Sequence, residues 1–137
     1  MTFEEIDKLI GDSLTKRYPN TERRDYYELE RKWLEKDPNH RKGHADLNGI
    51  MYLSEVDYDH YIDVRILKND VILTFRQDDS KFMYKSFSYD KFTKDHLSFF
   101  FYAIDDYFEA DTLFDKFNAG KIPVGVLREN RLNEILP

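Results

Sequence analysis

His40 and His44 stand four residues apart, with Asp46 close behind. On a helix that spacing turns two imidazoles to one side, as a zinc-dependent hydrolase requires. Here Pro38, Gly43 and Gly49 interrupt the stretch and the glutamate of a zincin motif is missing, so it reads as a polar, basic loop over 37–49. A metal-dependent enzyme built on His40/His44 is kept as an alternative reading; no metal ligand and no cofactor is assigned. Carboxylates come in pairs at Asp57/Asp59, Asp78/Asp79 and Asp105/Asp106. Glycosidase or metal-assisted chemistry needs two at a set separation in a cleft, and abundance alone is not such an arrangement. The serines lack a G-x-S-x-G context, and the five glycines form neither G-x-G-x-x-G nor a P-loop. With no cysteine, thiol catalysis, disulfides and thiolate metal sites are excluded. The expectation is a non-enzyme with no catalytic residue.

What remains is a surface chemistry. Glu55-Val56-Asp57-Tyr58-Asp59-His60-Tyr61-Ile62-Asp63 interleaves acids with tyrosines, and Asp78-Asp79 adds two more acids. Carboxylates attract Lys and Arg over long range and speed encounter, while Tyr offers rigid area with little entropy to lose. Glu55, Asp57, Tyr58, Asp59, Tyr61, Asp63, Asp78 and Asp79 are therefore the expected partner-binding residues. His60 sits among these acids and becomes a pH-sensitive contact if the fold keeps them close.

The elements that must carry these residues can be read from periodicity. Thr2 and Glu5 form a T-x-x-E capping box, and Phe3, Ile6, Leu9 or Ile10, and Leu14 recur at helical spacing, predicting a helix over 2–17. Tyr18-Pro19-Asn20 ends it. Thr21 reads as the cap of a second helix over 22–36, with an apolar stripe of Tyr26, Leu29 or Tyr27, Trp33 and Leu34. Its Arg23, Arg24, Arg31 and Lys32 are matched by nearby acids, so pairing within the helix explains them better than phosphate contacts. Four strands follow over 50–56, 60–67, 71–77 and 81–89, with turns at Lys68-Asn69-Asp70 and Gln77-Asp78-Asp79-Ser80. Ile62, Val64 and Ile66 oppose Tyr61, Asp63 and Arg65, which share the parity of Asp59; this polar face is expected to be solvated. Connections this short make the strands antiparallel.

Thr93 or Asp95 caps a helix to about Glu109, with Leu97, Phe100, Phe101, Ile104 and Phe108 on one stripe. Asp111 starts a short helix through Phe117, 122–127 is extended or loop-like, and 128–136 is a last short helix. The expected fold is one α+β domain over 1–137: two N-terminal helices, an antiparallel β-meander of about four strands, and C-terminal helices.

The 137 residues carry a net charge of -6, unevenly spread. Residues 1–45 are neutral, residues 46–119 hold eight Lys/Arg against fifteen Asp/Glu, and the remainder is slightly basic. That balance argues against a uniformly basic nucleic-acid binder. The acidic N-terminus lacks the basic start and apolar run of a secretory signal, and no apolar run approaches the roughly 20 residues that span a membrane. A soluble, cytoplasmic chain is expected, full length from Met1 and without a membrane partner.

In size, charge and texture the chain resembles bacterial toxin-immunity proteins, such as those of contact-dependent growth inhibition and colicin systems. The residues that carry the resemblance are Glu55 to Asp63, Asp78-Asp79, and Asp105-Asp106-Tyr107-Phe108-Glu109-Ala110-Asp111. The resemblance implies a protein-binding inhibitor that covers the active or substrate-binding surface of a basic cognate toxin, such as a nuclease. Asp57, Asp59 and Asp63 would meet toxin Lys or Arg, and Tyr58 and Tyr61 would pack on apolar or cationic groups. The other reading from the sequence is a structural or regulatory interaction module, a monomer or weak homodimer joined through exposed Tyr and Phe.

Overall fold

The computed structural model describes residues 1–25, 36, 49–78, 80–108, 113–122 and 124–125. The predicted stripe at Tyr26–Leu34, the loop with His40, His44 and Asp46, Asp79, and the predicted helix 128–136 lie outside the described residues.

Helix α1 runs Phe3–Arg17, and Thr2 and Glu5 form the expected reciprocal capping box. Its buried residues are Ile6, Ile10 and Leu14, one face at helical spacing. The strands are β1 (Glu22–Asp25), β2 (Ile50–Asp57), β3 (His60–Ile66), β4 (Asp70–Gln77) and β5 (Ser80–Ser88). They form one antiparallel sheet in sequence order, β1-β2-β3-β4-β5. Helix α2 (Lys94–Tyr107) and helix α3 (Leu113–Asn118) follow. The architecture is α+β, with one more strand than the sequence pattern predicts.

Over Glu22–Asp25 the extra strand corrects the start of the expected second helix, while Lys36, at its predicted end, is helical. Glu22–Asp25 pairs with Leu53–Ile50 instead of coiling. Thr21 does not cap a helix: its hydroxyl donates to the Tyr18 carbonyl at 2.6 Å and lies 2.7 Å from Ser54 Oγ. Arg23 reaches Asp7 of α1 at 2.9 Å, and Arg24 pairs with Glu22 at 2.8 Å. These tertiary bonds outweigh a helical preference worth tenths of a kcal/mol per residue. A short, charged strand also suits a sheet edge, where it discourages further pairing. At the other edge the Tyr84 amide donates to Asn118 of α3 at 3.1 Å.

Ile62, Val64, Ile66, Val71, Leu73, Phe75, Met83 and Phe87 line the sheet face that joins α1, α2 and α3 in one core. Alternation in β3 and β4 thus puts the apolar set where the sequence predicts. Helix α2 buries a wider arc than one stripe: Leu97, Phe99, Phe100, Phe101, Ala103 and Ile104 are all buried. Phe108 leaves the stripe and is 48% exposed, because the helix ends at its position. Val124 and Gly125 are helical, not extended.

Asp7, Arg23 and Tyr52 clamp α1 to the sheet. The Tyr52 hydroxyl donates to Asp7 Oδ1 at 2.5 Å, and Arg23 Nε lies 3.2 Å from Tyr52 Oη. Burial, then the Asp7 bond, pushes Tyr52 up to about 12. Burial pushes Asp7 up, but the bonds from Arg23 and Tyr52 outweigh it and hold the carboxyl below its usual range. The close approach needs Gly11: a Cβ there would stand 2.7 Å from Tyr52 Oη.

Thr93 caps α2, and the Thr93 amide donates to His96 Nδ1 at 3.1 Å. The His96 ring packs on Phe87 at 4.4 Å between centroids. Burial lowers its pKa and outweighs the raising effect of Asp95, and nearby Lys85 adds a smaller lowering. A histidine held neutral supports the fold fully above its unfolded value of about 6.5, and that support is lost as pH falls toward its lower folded value. Urea denaturation at pH 7.5 and pH 5.5 is expected to show a larger stability loss for the native chain than for His96→Gln, which keeps the capping acceptor without the titration. Equal losses in both would contradict this.

Candidate functional site

The β2–β3 and β4–β5 connections have two residues each, since Asp57 pairs with His60 and Gln77 with Ser80. His60 pairs in turn with Gln77, so the two turns stand side by side at one end of the sheet. Asp59 and Asp78 adopt left-handed backbone, φ 66 and 50, a conformation Asp tolerates better than most residues. The Asp57 carboxylate accepts from the Tyr58 amide at 2.7 Å. The acids at this end therefore also build its turns. Tyr58 projects, 82% exposed.

His60 sits beneath this tip, inside an aromatic cluster. Its ring stacks on Phe75 and Phe82 and touches Tyr107 and Phe108, with centroids 5.4–6.1 Å away. Its Nδ1 lies 3.0 Å from the Tyr58 carbonyl and its Nε2 3.4 Å from Tyr107 Oη. The imidazole thus links the exposed tip to the end of α2, with Phe108 beside it. Sequence reasoning missed this role for Phe108; the signal was its place at the acidic end of the helix, after the last buried residue.

Glu55 and Tyr61 lie next to the tip on the sheet face away from the helices, opposite each other in register. Arg76 and Lys81 complete that row. The Arg76 guanidinium lies 5.4 Å from the Tyr61 ring centre, so this tyrosine already has a cation inside the molecule. Asp63 corrects the expectation of a solvated polar face. It is 5% exposed, with Arg65 Nε 3.2 Å and Arg76 Nε 3.9 Å from its carboxylate. Guanidinium groups are the partners that make such burial of a carboxylate tolerable. Its role is internal. Nor is Asp105 a spare acid, for it pairs with Arg17 at 2.8 Å.

The structure thus brings Glu55, Asp57, Tyr58, Asp59, Tyr61 and Asp78 to one end of the sheet and sets Asp63 one row further in. Among the described residues no group of three or more His, Asp or Glu is placed to hold a metal ion. No helix among them is long and apolar enough to cross a membrane. Comparison with protein-family models, with characterised proteins and with solved structures finds no match.

Because Asp63 answers two guanidinium groups, Asp63→Asn is expected to cost about 1.5–3 kcal/mol, as loss of a charge-assisted hydrogen bond does. Asp57→Asn, on the exposed tip, is expected to cost under about 0.5 kcal/mol. Chemical denaturation of the two variants compares them; equal effects would refute an internal role for Asp63.

Proposed function

We propose that the protein is a non-enzymatic, protein-binding inhibitor of the toxin-immunity kind, and that the sheet tip is its contact surface for a basic partner. The observation that carries this reading is the tip itself: Tyr58, 82% exposed, and Phe108, 48% exposed, flank His60 beside Asp57, Asp59 and Asp78. Exposed aromatic rings among acids combine the two ingredients of a contact with a cationic protein. The acids raise the encounter rate, and the rings supply area that is desolvated on docking.

The fold makes the surface stiff. Both turns are as short as antiparallel strands allow, and His60 anchors one of them to α2. A preformed contact loses little conformational entropy on binding. A partner that binds nucleic acid is basic in its own groove, so a rigid acidic and aromatic tip seated there excludes the substrate by bulk and by charge. Within this reading Asp57, Tyr58, Asp59 and Asp78 face the partner and Glu55 borders them, while Tyr61 and Asp63 support the surface from within.

Asparagine keeps the turn chemistry and the left-handed backbone while removing the charge. The triple variant Asp57→Asn, Asp59→Asn, Asp78→Asn should therefore fold as the native chain does. Against a basic partner recovered from the source cell, titration calorimetry is expected to show at least about 30-fold weaker binding for the triple variant. The native association rate is expected to fall with added salt. Unchanged affinity in the triple variant would overturn the assignment.

A further inference from the structure

Behind the tip, the sheet face away from the helices holds a cavity of about 350 Å³ lined by Asp63, Arg65, Ile72, Thr74, Arg76, Asp78, Lys81 and Tyr84. Strand register explains how it is built. Asp63, Thr74 and Tyr84 lie opposite one another across β3, β4 and β5, with Arg65 and Ile72 on one side and Arg76 and Lys81 on the other. The volume falls within the size range of small-molecule sites.

Two groups in this cavity are not accounted for by internal contacts. Thr74 is 6% exposed, yet its hydroxyl has no hydrogen-bond partner among the described residues. A buried hydroxyl without a partner costs stability and calls for an explanation. The Lys81 ammonium lies 4.9 Å from the Tyr84 ring centre and has no carboxylate partner among the described residues. Arg76 is aimed along the same wall, with Nη1 donating to the Asp78 carbonyl at 2.8 Å. Arg65, Arg76 and Lys81 line the space together with Asp63 and Asp78. Ile72 and Tyr84, the latter 47% exposed, add an apolar wall.

We infer that this cavity binds a small organic oxyanion with an apolar or aromatic body. Its oxyanion accepts from Arg76, Lys81 and the Thr74 hydroxyl, and its body rests on Ile72 and Tyr84. Guanidinium, ammonium and hydroxyl are donors suited to phosphate and carboxylate alike. The inference is independent of the reading of the tip, whose partner is a cationic protein.

The test is a nuclear magnetic resonance titration of the full chain with phenyl phosphate, with benzoate and, as the uncharged control, with benzyl alcohol. At least one anion is expected to shift the amides of Asp63, Thr74, Arg76 and Tyr84 saturably, and the arm that binds tighter tells a phosphate ester from a carboxylate. Lys81→Gln is expected to weaken that binding about tenfold, as loss of a charge-assisted bond does. Thr74→Val is expected to weaken it about threefold or more and, unlike a purely structural threonine, to raise the thermal midpoint by removing the unsatisfied hydroxyl. No saturable shift with either anion, equal shifts with benzyl alcohol, or full affinity in Thr74→Val would each overturn the inference.

Discussion

Among the described residues, helices α1, α2 and α3 share a single core with one face of a five-stranded sheet, and the placement of the polar groups of β3 and β4 follows from that arrangement. The core takes the even-numbered residues of β3 and the odd-numbered residues of β4, so their neighbours along each strand must turn to the other face. That face carries Asp63, Arg65, Thr74 and Arg76 in the middle of the sheet. The centre of a sheet is a poorly hydrated place for a carboxylate. Asp63 stands there because two arginines, one two residues along its strand and one on the next strand, converge on it. The same constraint pushes the remaining acids outward to the two turns, where water and left-handed backbone both suit aspartate.

This division gives the tip and the face opposite electrostatic characters within a short distance. Acids and exposed rings gather at the turns, while cations over aromatic rings line the cavity behind them. The net charge of -6 averages across the two. A description of the chain as simply acidic hides a surface that sets carboxylates at the turns close to cations on the sheet face behind them. The two are joined through Arg76, which touches Tyr61, Asp63 and the Asp78 carbonyl.

Much of the frame was legible in the sequence because its determinants are local. The Thr2–Glu5 capping box starts α1, alternation from Tyr61 to Ile66 and from Val71 to Arg76 defines β3 and β4, and Thr93 caps α2. Most of the failures are non-local. Glu22–Asp25 forms a strand because Leu53–Ile50, some thirty residues on, offers it an edge. Asp63 is buried in mid-sheet, where Arg76 joins Arg65 beside it through the register of β3 and β4. Phe108 escapes the core because α2 ends there. The cavity draws on three strands at once, and no spacing along one chain segment announces it. Strand register brings Asp57, Asp59 and Asp78 to one end of the sheet, and their part in forming the turns shows in the backbone angles of Asp59 and Asp78 and in the Asp57 bond to the Tyr58 amide.

The central claim is that contact with a basic partner is made by the sheet tip and by no other part of the described surface. Hydrogen–deuterium exchange of the chain with and without its bound partner measures this directly. The account predicts slowed exchange at Tyr58, Asp59, His60 and Asp78 and at Tyr107 and Phe108, with α1 and β1 unchanged. Protection confined to α1 and β1, with the tip exchanging as freely as in the unbound chain, would contradict it.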